Sequence, residues 1–122
     1  MTKKESFFIN RLKSVGYAFK GAWLLIKTEP SIKVQAFIGI IMTFAGLLVG
    51  LSATEWILQT LTIGLIIALE SLNTAIEEIA DFIHPEFHPK IGLIKDFAAG
   101  AVFIFAITAI IVGCIIYFPK IF

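Results

Sequence analysis

Nine side chains able to do polar chemistry gather around the apolar runs of this chain: Glu29, Glu70, Asn73, Glu77, Asp81, Glu86, His88, Lys95 and Asp96. Four of them share the stretch Glu70-Ser-Leu-Asn-Thr-Ala-Ile-Glu-Glu-Ile-Ala-Asp81, where Glu70, Asn73, Glu77 and Asp81 step by three, four and four residues. At about 100° per residue these stack on one helical face about 80° wide. Leu69, Leu72, Ile76, Ile79 and Ile83 cover the other side. The preceding run, Trp56 to Leu69, has no charge and is too short to cross a bilayer alone. Glu70, with Asn73, is therefore expected inside the hydrocarbon or at its edge. A carboxylate there needs a partner, a cation, a proton or a water-filled cleft.

Carboxylates with an amide and a lysine at a membrane surface suit a hard cation such as magnesium, held with nucleotide phosphates. A deeper acid can deprotonate an alcohol held in the lipid, and Lys95 can neutralise phosphate charge. The sum is phosphoryl transfer from a nucleotide to a lipid hydroxyl. Two other readings share the spacing: a plain amphipathic extension or polar seam between helices, and a small proton- or metal-coupled carrier using the acids as a relay. There is no GxxxxGK[ST] loop and no glycine-rich protein-kinase loop. His84 and His88 are four apart, but Pro85 and Pro89 argue against one helix presenting both to zinc.

The elements that must position these groups are those of an all-α integral membrane protein. Of 122 residues, 58% are hydrophobic and 16% charged, more apolar surface than a water-soluble core of this size can hide. A net charge of +1 gives no field directed at nucleic acid, and none is expected as a partner. Cys114 stands alone in an apolar run, so no internal disulfide forms. One membrane domain, 1–122, is expected. It begins with an amphipathic surface helix over 5–28, with Phe8, Leu12, Val15, Phe19, Ala22, Trp23 and Ile26 on one side and Lys13, Lys20 and Lys27 on another. Those lysines interrupt any signal-peptide core.

Thr28-Glu29-Pro30 ends that helix. The first span is expected over 34–54, the second over 56–83 with its acidic extension, and the third over 97–118. Gly46-Leu-Leu-Val-Gly50 is a GxxxG pattern with Gly39 seven residues earlier, and Ala98-Ala-Gly-Ala101 offers a narrow surface for a neighbour. A polar loop runs from His84 to Lys95-Asp96. Lys3, Lys4, Arg11, Lys13, Lys20, Lys27 and Lys33, with Lys90 and Lys95, put the N-terminal flank and second loop in the cytoplasm. Lys120, on the outer side, runs against that trend.

Glu70 to Asp81, then Pro85-Glu-Phe-His-Pro89 and Ile94-Lys-Asp-Phe-Ala-Ala-Gly-Ala101, resembles the small prokaryotic diacylglycerol kinase and undecaprenol kinase family. The likeness extends upstream through Gly16-Tyr17, Lys20-Gly21 and Glu29, so it covers nearly the whole chain. It implies a homotrimeric bundle in the bacterial inner membrane, with active sites shared between subunits on the cytoplasmic side. It implies ATP as donor, Mg2+ as cofactor, and diacylglycerol or undecaprenol as acceptor. By the same resemblance Glu70 is the general base, and Glu29 and Glu77 hold the metal against the nucleotide. Asn73 supports that site, Lys95 and Asp96 contact the nucleotide, Tyr17, Glu86 and His88 lie near its adenosine end, and Asp81 backs the nucleotide side. Gln35 departs from the diacylglycerol branch, which carries an acid there. Arg11 stands displaced from the usual arginine of the surface helix. The Pro-Glu-Phe-His-Pro and Ala-Ala-Gly-Ala wording leans toward the undecaprenol branch.

Overall fold

A computed structural model describes residues 6–122, so Lys3, Lys4 and the expected helix start at residue 5 lie outside the described residues. Those described form four helices and no strand: α1 (Phe7–Thr28), α2 (Pro30–Val49), α3 (Ala53–Ile83) and α4 (Pro89–Ile121). The last three are long and apolar enough to cross a membrane. At 1.5 Å per residue, α2 is about 30 Å long and α3 and α4 about 46 and 50 Å. Only α2 matches the roughly 30 Å of hydrocarbon, so α3 and α4 must protrude.

Each helix boundary has a local cause. Ser6 caps α1 through its hydroxyl, which accepts from the Ile9 amide at 3.2 Å. Glu29 is the single residue between α1 and α2, held extended by the following proline. Pro30 then opens α2 at a position where its missing N–H costs nothing, so this helix starts ahead of the uncharged run at Val34. Gly50, at φ 72°, closes α2 in the left-handed region that favours glycine. Helix α2 thus ends at Val49, short of the Thr54 boundary expected from charge alone.

Ser52 and Glu55 form a reciprocal capping box, with contacts of 3.2 and 2.9 Å, so the expected outer turn is already the first turn of α3. The expected loop up to Lys95-Asp96 is also shorter. His88 caps α4, accepting from the Lys90 amide at 3.0 Å, and Pro89 starts the helix eight residues before the apolar run at Phe97. Lys95 and Asp96 therefore stand on a helix, not in a loop.

Helix α3 packs most extensively on α4 and next on α2, while α1 meets the bundle chiefly through α2 and buries no residue. Along α3, Gln59, Ile66, Asn73 and Ala80 are buried at seven-residue intervals. One core sits near the α2–α3 turn, where Leu51, Ile116 and Tyr117 pack with Met42, Ala45, Trp56 and Val112. There the Gln59 amide donates to the Met42 carbonyl at 3.0 Å, and the Tyr117 hydroxyl donates to Gln59 Oε1 at 2.5 Å. Most large apolar side chains are exposed, Phe8, Phe37, Phe44, Leu48 and Phe103 among them, a surface suited to lipid and not to water. The hydroxyls of Thr43, Thr62, Ser71, Thr74 and Thr108 each bond a carbonyl four residues back, so none needs water.

The glycine pattern works differently from its sequence reading. Gly46 and Gly39 are buried on the face α2 turns to its neighbours, whereas Gly50 is a cap outside the helix. A Cβ at Gly46 would meet Leu51 Cδ1 and Trp56 Cη2 at 2.8 Å, and one at Gly39 would meet Ile63 Cγ2 at 2.8 Å. Gly46→Leu should lower the unfolding free energy by about 1–3 kcal/mol, the usual cost of overpacking. SDS titration in mixed micelles checks this, and an unchanged midpoint would show that α2 does not depend on this close approach.

Candidate active site

The stripe lies against the interior at Glu70 and Asn73 and emerges from it at Glu77 and Asp81, which are exposed. Asn73 is 7% exposed and Glu70 is half-buried, while Leu72, Ile79 and Ile83 on the opposite side are exposed. This inverts the order of a soluble amphipathic helix, as expected where lipid covers the apolar side.

Depth follows from the helix rise. Glu70 lies about 21 Å along α3 from Trp56, less than the roughly 30 Å thickness of a bilayer's hydrocarbon. Glu77 lies about 31 Å from Trp56, close to that thickness, and Asp81 beyond it. Glu29 precedes Gly50 by the same length of α2, about 31 Å. Contacts of Met42 with Gln59 and of Gly39 with Ile63 set the antiparallel register of α2 and α3, and carried along both helices it puts Glu29 level with Asn73, about one turn short of Glu77.

Within the stripe, Asn73 Nδ2 donates to Glu77 Oε1 at 2.8 Å. The carboxylate can only accept, which fixes the amide's orientation and leaves Asn73 Oδ1 as its other atom. That oxygen is buried with no hydrogen-bond partner. A buried carbonyl oxygen without a donor costs about 1–3 kcal/mol and calls for an explanation. It stands beside an exposed carboxylate, and such oxygen donors suit a hard cation. Among the described residues no three His, Cys, Asp or Glu side chains cluster as a ready metal site.

The nucleotide candidates divide into two groups. Lys95 pairs with Asp81, joining α4 to α3 at the same end as Glu77. His84 Nδ1 donates to the Glu86 carbonyl at 2.7 Å and its ring lies edge-on to His88, which folds the loop between α3 and α4 tightly. The Glu86 side chain and Asp96 are exposed at that end. Tyr17 is exposed on α1, away from any buried contact with α3 or α4. Arg11, also on α1, donates to Ser14 Oγ at 3.3 Å and stacks on Phe7. A single chain thus brings Glu70, Asn73, Glu77, Asp81 and Lys95 together along α3 and α4, and leaves Tyr17 and Arg11 on the outlying helix.

Charge reading alone left Lys120 as an anomaly. It pairs with Glu55 at 3.0 Å, so the lysine at the other end has a local partner. The Ser52-x-x-Glu55 spacing was the signal available for that end, and the cap it forms also places Glu55 for the lysine.

Three helices long and apolar enough to cross a membrane, with a buried amide and acids toward one end, describe a membrane protein with a candidate polar site. The chain belongs to the prokaryotic diacylglycerol kinase family, whose model matches residues 16–117. With that family it is a lipid kinase, a phosphotransferase with an alcohol acceptor. It is 41% identical over 113 residues to the undecaprenol kinase of Bacillus subtilis (strain 168), covering 92% of each chain. It is 32% identical to the diacylglycerol kinase of Haemophilus influenzae (strain ATCC 51907 / DSM 11121 / KW20 / Rd), over 94% of this chain and 98% of that one. To the diacylglycerol kinase of Escherichia coli (strain K12) it is 29% identical, over 95% of each. The carrier reading finds no support among these relatives.

The Asp81–Lys95 pair is open to solvent, its side chains 56% and 37% exposed, so it positions more than it stabilises. In a double-mutant cycle with Asp81→Asn and Lys95→Met, the coupling energy should be about 0–1 kcal/mol and shrink at high salt. A coupling that is larger and indifferent to salt would mean that this pair is buried in the working protein.

Proposed function

We propose that this chain transfers the γ-phosphoryl group of ATP to the hydroxyl of a membrane lipid alcohol, with undecaprenol as its principal acceptor. The observation that carries the reading is the buried face of α3, where Asn73 points an unpartnered oxygen beside Glu77 and one turn above half-buried Glu70. The greater identity to the undecaprenol kinase, 41% against 29% and 32% for two diacylglycerol kinases, supports the choice of acceptor. Diacylglycerol is the second reading, favoured by the names of those relatives.

In this mechanism Glu70 takes the proton of the lipid hydroxyl as the bond to phosphorus forms and the bond to the β-phosphate oxygen breaks. Glu29 on the approach to α2 and Glu77 on α3, about one turn apart in height, would hold Mg2+, with Asn73 orienting the Glu77 carboxylate. The ion would neutralise phosphate charge when bound. Lys95, kept beside the site by Asp81, meets the nucleotide phosphates, Asp96 contacts the nucleotide, and Glu86, His88 and Tyr17 lie toward the adenosine. The outlying position of α1 fits a homotrimer in which Tyr17 completes a neighbour's site. The excess of basic residues on the N-terminal flank and at Lys90 and Lys95 supports a site on the cytoplasmic face of the bacterial inner membrane.

Purified protein in mixed micelles with radiolabelled ATP and either C55 polyprenol or diacylglycerol should move label into the organic phase, more with the polyprenol. Label in neither lipid would remove the proposal. Glu70→Gln should lower kcat by about 10²–10⁴-fold, the usual share of a general base, with nucleotide binding intact. Turnover at the wild-type rate would end that assignment. Glu77→Gln should raise the magnesium concentration needed for half-maximal rate, and an unchanged requirement would remove Glu77 as a ligand.

A further inference from the structure

Gln35 carries an amide into the apolar layer. It precedes Gly50 by 15 residues on α2, about 22 Å of helix and less than the roughly 30 Å of hydrocarbon. There it is half-buried and lines an open groove between α2, α3 and α4, with Gly39, Ile63 and Ile66. Its side chain has no hydrogen-bond partner among the described residues. An amide in hydrocarbon that bonds to nothing is costly, so this one needs a partner beyond them.

A second such group stands close to its level. Glu70 is half-buried, and its carboxylate also has no partner among the described residues. The contacts of Met42 with Gln59 and of Gly39 with Ile63 put Gln35 level with Ile66 and Ile67. That is about one turn, or 5 Å, below Glu70. Ile66 lines the groove beside Gln35, and Glu70 follows it by four residues, on the same face of α3. The two helices run in opposite directions, and each Cα–Cβ bond tilts toward the N-terminus of its own helix. Gln35 therefore leans toward the level of Glu70, and Glu70 leans toward the level of Gln35. They are not bonded to each other.

The chemistry of the two groups selects what can bridge them. A carboxylate only accepts hydrogen bonds, and the amide N–H only donates. A bridging group must bring a hydrogen for Glu70 and a lone pair for Gln35, and a hydroxyl offers both on one atom. The spans of a second copy are poor in such groups. The hydroxyls of Thr43, Thr62, Ser71, Thr74 and Thr108 already spend their hydrogen on a carbonyl of their own helix. The backbone N–H groups of a span are likewise used inside it. The hydroxyl of a lipid alcohol is free, and its tail needs only the apolar surround that groove and bilayer both supply.

We propose that Gln35 is a further acceptor-binding residue, whose Nε2–H donates to the oxygen of the lipid hydroxyl while that hydroxyl's hydrogen is directed at Glu70. This rests on the kinase reading above. With one lone pair held by Gln35, the other is left to attack phosphorus. The oxygen gives its proton to Glu70 as its bond to phosphorus forms and the bond to the β-phosphate oxygen breaks. Gln35 moves no proton; it aims the nucleophile.

The test uses the full-length protein in mixed micelles with Gln35→Met, which keeps the length of the side chain and removes its amide. The KM for the lipid alcohol should rise about three- to tenfold, the scale of one hydrogen bond, while the KM for ATP stays where it is. A second readout needs no turnover. Without nucleotide, the wild type should bind the methyl ether of a C55 polyprenol more tightly than the hydrocarbon of the same chain. The ether oxygen can accept from Gln35 but has no hydrogen for Glu70. Gln35→Met should bind the two alike. An unchanged acceptor KM, or an ether preference that survives in Gln35→Met, overturns the contact and leaves the kinase standing. Loss of the ether preference in Gln35→Met, with no alcohol phosphorylated even by the wild type, would retain the contact and remove the kinase. A smaller assembly mass for Gln35→Met, read by light scattering, would assign the amide to a second copy and overturn the proposal.

Discussion

Two ion pairs at opposite ends of α3 and α4 mark the register in which everything else lies. Asp81–Lys95 and Glu55–Lys120 are separated by 26 residues along α3 and 25 along α4. That is about 38 Å of helix, more than the roughly 30 Å of hydrocarbon and less than the full membrane thickness of about 40–45 Å. Both pairs thus fall in the headgroup regions, where charge is tolerated. Sliding α4 by one turn would break both and carry one lysine toward the apolar layer, which costs several kcal/mol. The antiparallel register is set by where charge can reside, and Glu70 has its depth because α3 has no freedom along its axis.

The same constraint explains why polar groups face inward. In water the apolar face of α3 would turn to its neighbours. Here Gln59, Asn73 and the half-buried Glu70 do so, while Leu72 and Ile79 remain outside. At the far end the polar contents are closed: Gln59, Tyr117 and the Met42 carbonyl satisfy one another. At the near end they are open, because Asn73 Oδ1 lacks a donor. One helix face therefore carries a finished polar cluster that holds structure and an unfinished one that can receive a ligand.

Much of this was legible in the sequence because charge and hydropathy report bilayer depth directly. The charge-free runs gave the three spans, and the three-four-four spacing of Glu70, Asn73, Glu77 and Asp81 gave a face that the helix confirms. Helix ends were read less well, since hydropathy marks where lipid stops and not where hydrogen bonding stops. Pro30 and Pro89 start helices in polar sequence, so α2 and α4 begin before their apolar runs. The GxxxG spacing misled for the same reason: Gly50 is a cap and Gly39 is the working partner of Gly46. Pairings across the chain, Lys120 with Glu55 and Tyr117 with Gln59, leave no local pattern and needed the fold to appear.

An unbroken α3 has a mechanistic consequence. From Glu70 to Glu77 is seven residues, about 10 Å along one rigid rod. Glu70, the proposed base, and Glu77 are thus held at fixed, different heights, and no loop between them can flex. The acceptor must keep its tail in hydrocarbon and the donor its triphosphate in water, so the reacting atoms meet only at the boundary. A helix crossing that boundary without a break is a direct way to hold both sides in one frame, since effective concentration falls steeply once the groups move independently. The long acidic extension of α3 then serves geometry as much as charge. It carries the Glu77 carboxylate about 10 Å beyond Glu70, and on the proposed mechanism that leaves Glu70 where a lipid hydroxyl would reach it.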